Sequence, residues 1–169
     1  MNHRNIIYII IYMFILSFSI GCKTTTELTE EQKMIKKNAE QFQQEILSNA
    51  IKDNIIALSD LTPFDWDKVF FFGCYERPEY IYDKVGYEWD TIRQGVTEGT
   101  MQIVFLNDKK VVCYVFGRAY DDLPFEIVSE KEELTAFDSP KFIVKNSTII
   151  DKSYPYLLLV EQVRDRFQH

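Results

Sequence analysis

Histidine is almost absent from this chain of 169 residues: His3 and His169 sit at its two extremes. No imidazole lies inside the folded part, which removes most zinc sites and every His-based catalytic triad. Glycine is scarce too, with six residues that form neither G-x-G-x-x-G nor a Walker loop, so nucleotide binding has no support. Basic charge is in deficit, 19 Lys+Arg against 26 Asp+Glu for a net −7. Binding to a phosphate backbone needs a basic face, so nucleic acid is not an expected partner. No serine stands in a G-x-S-x-G elbow. The chain does have apolar and aromatic side chains in quantity, 46% and 15%, enough for a real core and incompatible with wholesale disorder.

Long apolar runs are confined to the start. After His3 and Arg4, Ile6 to Ile20 is broken only by Ser17 and Ser19, and Gly21-Cys22 follows. These fifteen residues are short for a membrane-spanning helix, which needs about 20. They suit the apolar region of a secretory signal peptide that ends in a small residue. Ser19-Ile20-Gly21-Cys22 resembles the lipobox of bacterial lipoproteins, with Ser19 where Leu is usual. The resemblance implies a signal peptide over residues 1–21, cleavage before Cys22 and lipidation of Cys22. The mature chain would keep 148 residues and, having lost only Arg4 among its charges, a net −8. Acyl chains contribute about 0.8 kcal/mol per buried CH₂, so several on one cysteine make a firm anchor. Residues 22–31 then read as lipidated Cys22 and a polar tether, and residues 32–169 as a single α+β domain.

Thr29 followed by Gln32 forms a capping-box pattern, with Glu30 and Glu31 in the first helical turn. Ile35, Ala39, Phe42, Ile46 and Ala50 then recur at helical spacing. This predicts a long N-terminal helix to about Ile51, with Leu58 as its outer limit, laid on a sheet. Lys68 to Gly73 (KVFFFG) reads as a central strand, and Pro78 and Gly86 bracket a short helix. Met101–Leu106 and Val111–Phe116 flank the polar Asn107–Lys110 and read as a hairpin. Val111, Cys113 and Val115 would share one face of its second strand, with Val112, Tyr114 and Phe116 on the other. Both sets are apolar, so that strand should be covered on both sides. Phe125–Val128 and Lys141–Lys145 are further strands, separated by the charged Glu130–Glu133. Ser153 and Pro155 open a C-terminal helix with Tyr156, Leu159 or Val160, Val163 and Phe167 on one side. The expected fold is α+β: an antiparallel sheet of about four to five strands, with a long N-terminal helix and a C-terminal helix packed on it.

Acidic residues invite metal or catalytic readings. Asp65 and Asp67 flank Trp66, yet the alternating acids and Gly of a calcium loop are missing, so they read as solvated or turn-capping groups beside a Trp at a sheet edge. Glu76, Glu79, Glu88 and Asp90 read as the wet face of the short helix, and Asp121-Asp122 before Pro124 as a turn. Cys74 and Cys113 lie in apolar strand-like runs and read as core cysteines, with a disulfide as the alternative. No catalytic residue, metal or cofactor is assigned. Tyr75, Arg77, Tyr80, Tyr82, Tyr87 and Trp89 crowd the short-helix region and are the residue types enriched at binding hot spots. They form the candidate binding patch.

Asp65-Trp66-Asp67-Lys68-Val69, Phe72-Gly73-Cys74-Tyr75, Gly86-Tyr87-Glu88-Trp89 and FLNDKKVV at 105–112 together resemble a group of small exported bacterial lipoproteins, themselves uncharacterised. That group carries a W-D-x-V-x-x-F-x-P-Y strand. The likeness spans residues 63–145, departs at Cys74 where the pattern has Pro, and implies location and fold without catalytic residues. The expectation is therefore an exported lipoprotein, held by lipid on Cys22 to the outer face of a bacterial cytoplasmic membrane or to an outer membrane. It would be a non-enzymatic binding module for another envelope component. The alternative is a small-ligand binder with a pocket between sheet and helix.

Overall fold

The computed structural model describes residues 27–51, 53–89, 91–119, 121–149 and 152–160. The segment expected to be a signal peptide, Cys22 and the first part of the expected tether lie outside these residues, as do Asp90, Val163 and Phe167. Among the described residues the protein is α+β, with two helices and two four-stranded sheets in place of the one sheet expected.

Helix α1 spans Glu30–Asn49. It starts where the sequence places it: Thr29 Oγ1 accepts the Gln32 N–H (3.2 Å) while Gln32 Oε1 accepts the Thr29 N–H (3.0 Å), so two orphan donors are satisfied reciprocally. It ends short of Ile51. The chain beyond does not continue as helix: strand β1 (Ile55–Ala57) and a 3₁₀ turn η1 (Leu58–Leu61) take its place.

Strand β2 (Lys68–Phe72) is followed by helix α2 (Pro78–Val85), which opens on Pro78 and closes on Gly86. The φ of +93° at Gly86 is a left-handed cap that glycine adopts without strain. Strands β3 (Thr100–Asn107) and β4 (Lys110–Arg118) form the expected hairpin, with a turn tighter than the four residues expected. Its two central residues, Asp108 and Lys109, both have positive φ, as a two-residue hairpin turn requires. Strands β5 (Glu126–Val128), β6 (Glu133–Thr135), β7 (Lys141–Ile149) and β8 (Lys152–Leu159) complete the fold, with a 3₁₀ turn η2 (Ala136–Asp138) after β6.

The first sheet runs β1-β7-β8-β5, antiparallel except for the parallel pair β5–β8. The second runs β4-β3-β2-β6 and is antiparallel throughout. Their inner faces meet in one core: Val69, Ile103, Phe105 and Cys113 from the second sheet against Phe142, Val144, Leu157 and Leu159 from the first. The opposite face of the second sheet presents Phe70, Phe72, Val104 and Leu106 to Ile81 and Val85 of α2. This is why Val69 to Phe72 is apolar in both registers. Its strand is covered on both sides.

Two further expectations are overturned. The segment read as the start of a C-terminal helix is strand β8, paired with β7 over its whole length. Tyr154 to Leu159 is a continuous apolar run that fits either period, and the place beside β7 decides between them. Pro155 is tolerated because β5 pairs only with Tyr156–Leu158, so the missing N–H falls outside that ladder. The second correction concerns β4. Phe105 pairs with Cys113 and Leu106 with Val111, which leaves Val112 as a bulge. The extra residue resets the alternation, so Val111 joins the α2 side with Tyr114 instead of sharing a face with Cys113 and Val115.

The bulge also meets α1. Asn38, a buried polar residue of the helix, donates from Nδ2 to the Val112 carbonyl at 2.8 Å. Ala39, Phe42 and Ile46 enter the inter-sheet core while Ile35 enters the α2-side core. The helix thus straddles the β4 edge and protects it from pairing with another chain. At the opposite edge, β6 is only three residues long and carries Glu133 in an ion pair with Lys68 (2.7 Å).

Candidate functional site

The six residues of the aromatic patch divide into two groups. Tyr82 packs half-buried against the α2-side core. Tyr87 Oη accepts the Val111 N–H at 3.0 Å and so latches the loop after α2 to the start of β4. Trp89 is buried, 7% exposed, with its ring edge-on to Tyr114 at 5.0 Å. These three are packing groups in whole or in part. Tyr75, Arg77 and Tyr80 stay on the surface, Tyr75 with 61% of its area exposed. Tyr75 holds a positive φ of 70° and donates its N–H to the Gly95 carbonyl at 2.7 Å, which fixes where its ring projects. Tyr80 lies edge-on to Phe72, with the Lys84 ammonium 5.3 Å from its ring centre. Glu132 takes a hydrogen bond from Tyr80 and an ion pair from Lys84 (3.2 Å), and raises the pKa of both above their ordinary values.

Trp89 belongs to a second constellation that the sequence reading did not assemble. Tyr114 Oη accepts the Arg93 N–H (3.1 Å) and donates to Gln102 Oε1 (2.8 Å). Burial pushes the Tyr114 phenol up to about 12. Gln102 is fully buried, and its Nε2 has no hydrogen-bond partner among the described residues. The Arg93 guanidinium stands over Phe116, 5.5 Å from the ring centre. Opposite this wall runs the face of α1 bearing Ile35, Lys36, Ala39 and Gln43. Between them lies an open groove of about 400 Å³. Tyr114 and Phe116 share one face of β4 in the sequence. What the sequence does not show is that Thr91 and Arg93, beyond the short helix, reach the same groove as α1.

A wider, shallower groove of about 810 Å³ lies at the start of α1, where Glu30, Glu31 and Met34 face Tyr87, Lys109 and Lys110 of the hairpin tip.

The acidic candidates sit as follows. Asp67 Oδ2 accepts the Asp108 N–H at 2.9 Å and ties the start of β2 to the hairpin turn. Trp66 donates from Nε1 to Thr62 Oγ1 (2.8 Å) and meets Phe105 edge-on, while Asp65 is exposed. Glu79 and Glu88 are exposed and Glu76 half-buried. Asp122 caps the turn after β4 by accepting the Arg118 N–H at 3.0 Å, and Asp121 pairs with the Arg118 guanidinium. Among the described residues no group of three or more His, Cys, Asp or Glu side chains is placed to hold a metal ion. Cys74 and Cys113 are both free thiols, Cys74 half-buried and Cys113 fully buried, with its pKa driven far above the ordinary value by burial.

No family model, no curated protein and no solved structure matches the chain.

Proposed function

We propose that this protein is a lipid-anchored, extracytoplasmic binding domain without enzymatic activity, and that its binding site is the groove between α1 and the Trp89–Tyr114–Phe116 wall. Export and anchoring rest on the apolar run ending in Ser19-Ile20-Gly21-Cys22. The observation that carries the site is the composition of the groove. Aromatic rings and aliphatic side chains line it, with Arg93 on the sheet side and, on the helix side, Lys36 paired with Glu40 at 3.9 Å, so Arg93 is the cation that faces it without a carboxylate partner in the lining. Its volume falls in the ~300–1,000 Å³ range of small-ligand sites, and apolar walls with a few placed polar groups are their usual chemistry. The groove suits a ligand with an apolar body and an anionic group, in keeping with a pocket between sheet and helix.

The test uses an aromatic sulfonate dye, anilinonaphthalene sulfonate, as probe. The folded protein should bind it with enhanced fluorescence, and Gln43→Trp, which fills the groove from a half-buried position on the helix side, should abolish the signal. Arg93→Glu should weaken it about tenfold or more by reversing the charge that faces the sulfonate. Equal dye binding by all three proteins, each with native circular dichroism, would remove the groove as the site. A second reading, docking of another envelope component, is favoured by the exposed Tyr75–Arg77–Tyr80 face, where a backbone hydrogen bond places Tyr75, and Glu132 and the Lys84 ammonium place Tyr80.

A further inference from the structure

The groove between α1 and the Trp89–Tyr114–Phe116 wall has a direction. Its helix side is drawn from Leu28, Gln32, Ile35, Ala39 and Gln43, three or four residues apart, so it runs lengthwise along one face of α1. From Gln32 to Gln43 the length is about 17 Å, at ~1.5 Å per residue. A volume of about 400 Å³ drawn out over that length is a strip roughly 5 Å across. One unbranched alkyl chain, about 4 Å thick at van der Waals contact, fits such a strip, and two side by side do not. The two ends differ. Strand β4 runs beside α1 in the same sense: Glu31 and Met34 face Lys110, and further along Asn38 bonds the Val112 carbonyl. Phe116, with the Arg93 guanidinium 5.5 Å from its ring centre, therefore stands toward the Gln43 end. The other end carries the aliphatic Leu28 and Ile35. Leu28 is six residues from Cys22, and a chain of that length spans at most about 21 Å.

We propose that the ligand of this groove is a single-chain anionic lipid, a fatty acid in its chemistry, taken from the bilayer that holds the protein. Its carboxylate lies toward Arg93 and its chain runs back toward Leu28. The inference rests on the groove and the lipid anchor of the preceding proposal. Lipid on Cys22 keeps the Leu28 end within a tether's length of the membrane, and α1 carries the Gln43 end away from it. In a bilayer the carboxylate of such a lipid lies at the water surface and its chain points inward. Head-first entry along the groove therefore brings the carboxylate to the far end, where the cation is, and leaves the chain on the aliphatic near end. Lys36 is paired with Glu40 at 3.9 Å, whereas Arg93 faces the groove with no carboxylate partner in the lining. A guanidinium meets a carboxylate through two parallel hydrogen bonds, which fixes the head. The Trp89, Tyr114 and Phe116 rings and the aliphatic face of α1 take the chain out of water.

The test reconstitutes the full chain, purified from membranes, into phosphatidylcholine vesicles that contain a diazirine-bearing analogue of palmitic acid as probe. With the diazirine near the methyl end, irradiation should join the probe to residues 28–36. With it beside the carboxylate, the cross-link should move to residues 91–93 or 114–116. Arg93→Glu should cut labelling by the acid about tenfold and leave labelling by the matching fatty alcohol unchanged, because the acid alone carries the charge that Arg93 meets. The reverse order along the groove, cross-links spread over the surface, or equal loss of acid and alcohol would each overturn the proposal. Labelling by acid added in water but not by acid already in the vesicle would overturn the bilayer as source. No labelling of a chain that still binds the sulfonate dye would remove the lipid and leave the groove as a site, whereas loss of both would remove the groove as well. The mass of the chain, read before reconstitution, reports the acyl groups on Cys22, and their absence would overturn the anchor and with it the bilayer as source.

Discussion

Glu126 stands on the outer face of the first sheet, where its carboxylate accepts a hydrogen bond from Tyr154. Partial burial outweighs that bond and raises its pKa above the ordinary 4.5. The folded protein therefore holds the Glu126 proton more tightly than the unfolded chain does. Between 4.5 and the raised value the native state binds more protons, so stability falls as pH rises through that window. Above it the buried charge is a standing cost. Glu126→Gln keeps an acceptor for Tyr154 and removes the charge. Thermal melts should show the variant with the higher Tm at about pH 7 and the gap closing at about pH 4. A gap independent of pH would mean that ionisation is not its source. Residue types were legible in the sequence at this scale, and their exposure was not. Tyr87 and Tyr75 look alike as letters, yet one is spent on a backbone N–H of β4 and the other projects into water.

At the scale of elements, the β3–β4 hairpin shows how far a short stretch of sequence can carry a prediction. Two strand-like runs around a polar tetrad located it, and the structure closes it with Asp108 at φ 48° and Lys109 at φ 63°. Side chains disfavour that region by roughly 1–2 kcal/mol. Lys109→Gly should relieve part of this and stabilise the fold by about 1 kcal/mol, read as a shift in the urea midpoint with unchanged slope. A loss of stability would show that the lysine side chain contributes more than its backbone costs. Helices α1 and α2 were equally legible, because Thr29, Gln32, Pro78 and Gly86 act within a turn of where they stand. Strand β6 was not: the run around Glu133 reads as a charged loop, and it becomes a strand because β2 has an open edge. The bulge at Val112 was hidden for the same reason, since it exists only in the register between β3 and β4.

At the scale of the molecule the first question is attachment. Metabolic labelling with a clickable fatty acid should mark the wild-type chain in the membrane fraction. Cys22→Ala should lose the label and move the protein to the soluble fraction. Equal labelling of the two, or none, would replace the lipid anchor with a plain signal peptide or an anchoring helix. By itself the sequence determined what is decided within a few residues: an apolar start ending at a cysteine, an acidic chain without interior histidine, two capped helices and one hairpin. Tertiary structure alone decided the number of sheets, the conversion of Tyr154–Leu159 from prospective helix to strand, and the joining of Trp89, Arg93, Tyr114 and α1 around one groove. The physical reason is range. A cap or a turn is satisfied by its sequence neighbours, so its signal is local. A strand completes its hydrogen bonds, and an aromatic ring loses or keeps its water, only against residues far off in the chain, as Ile55 does against Ile143.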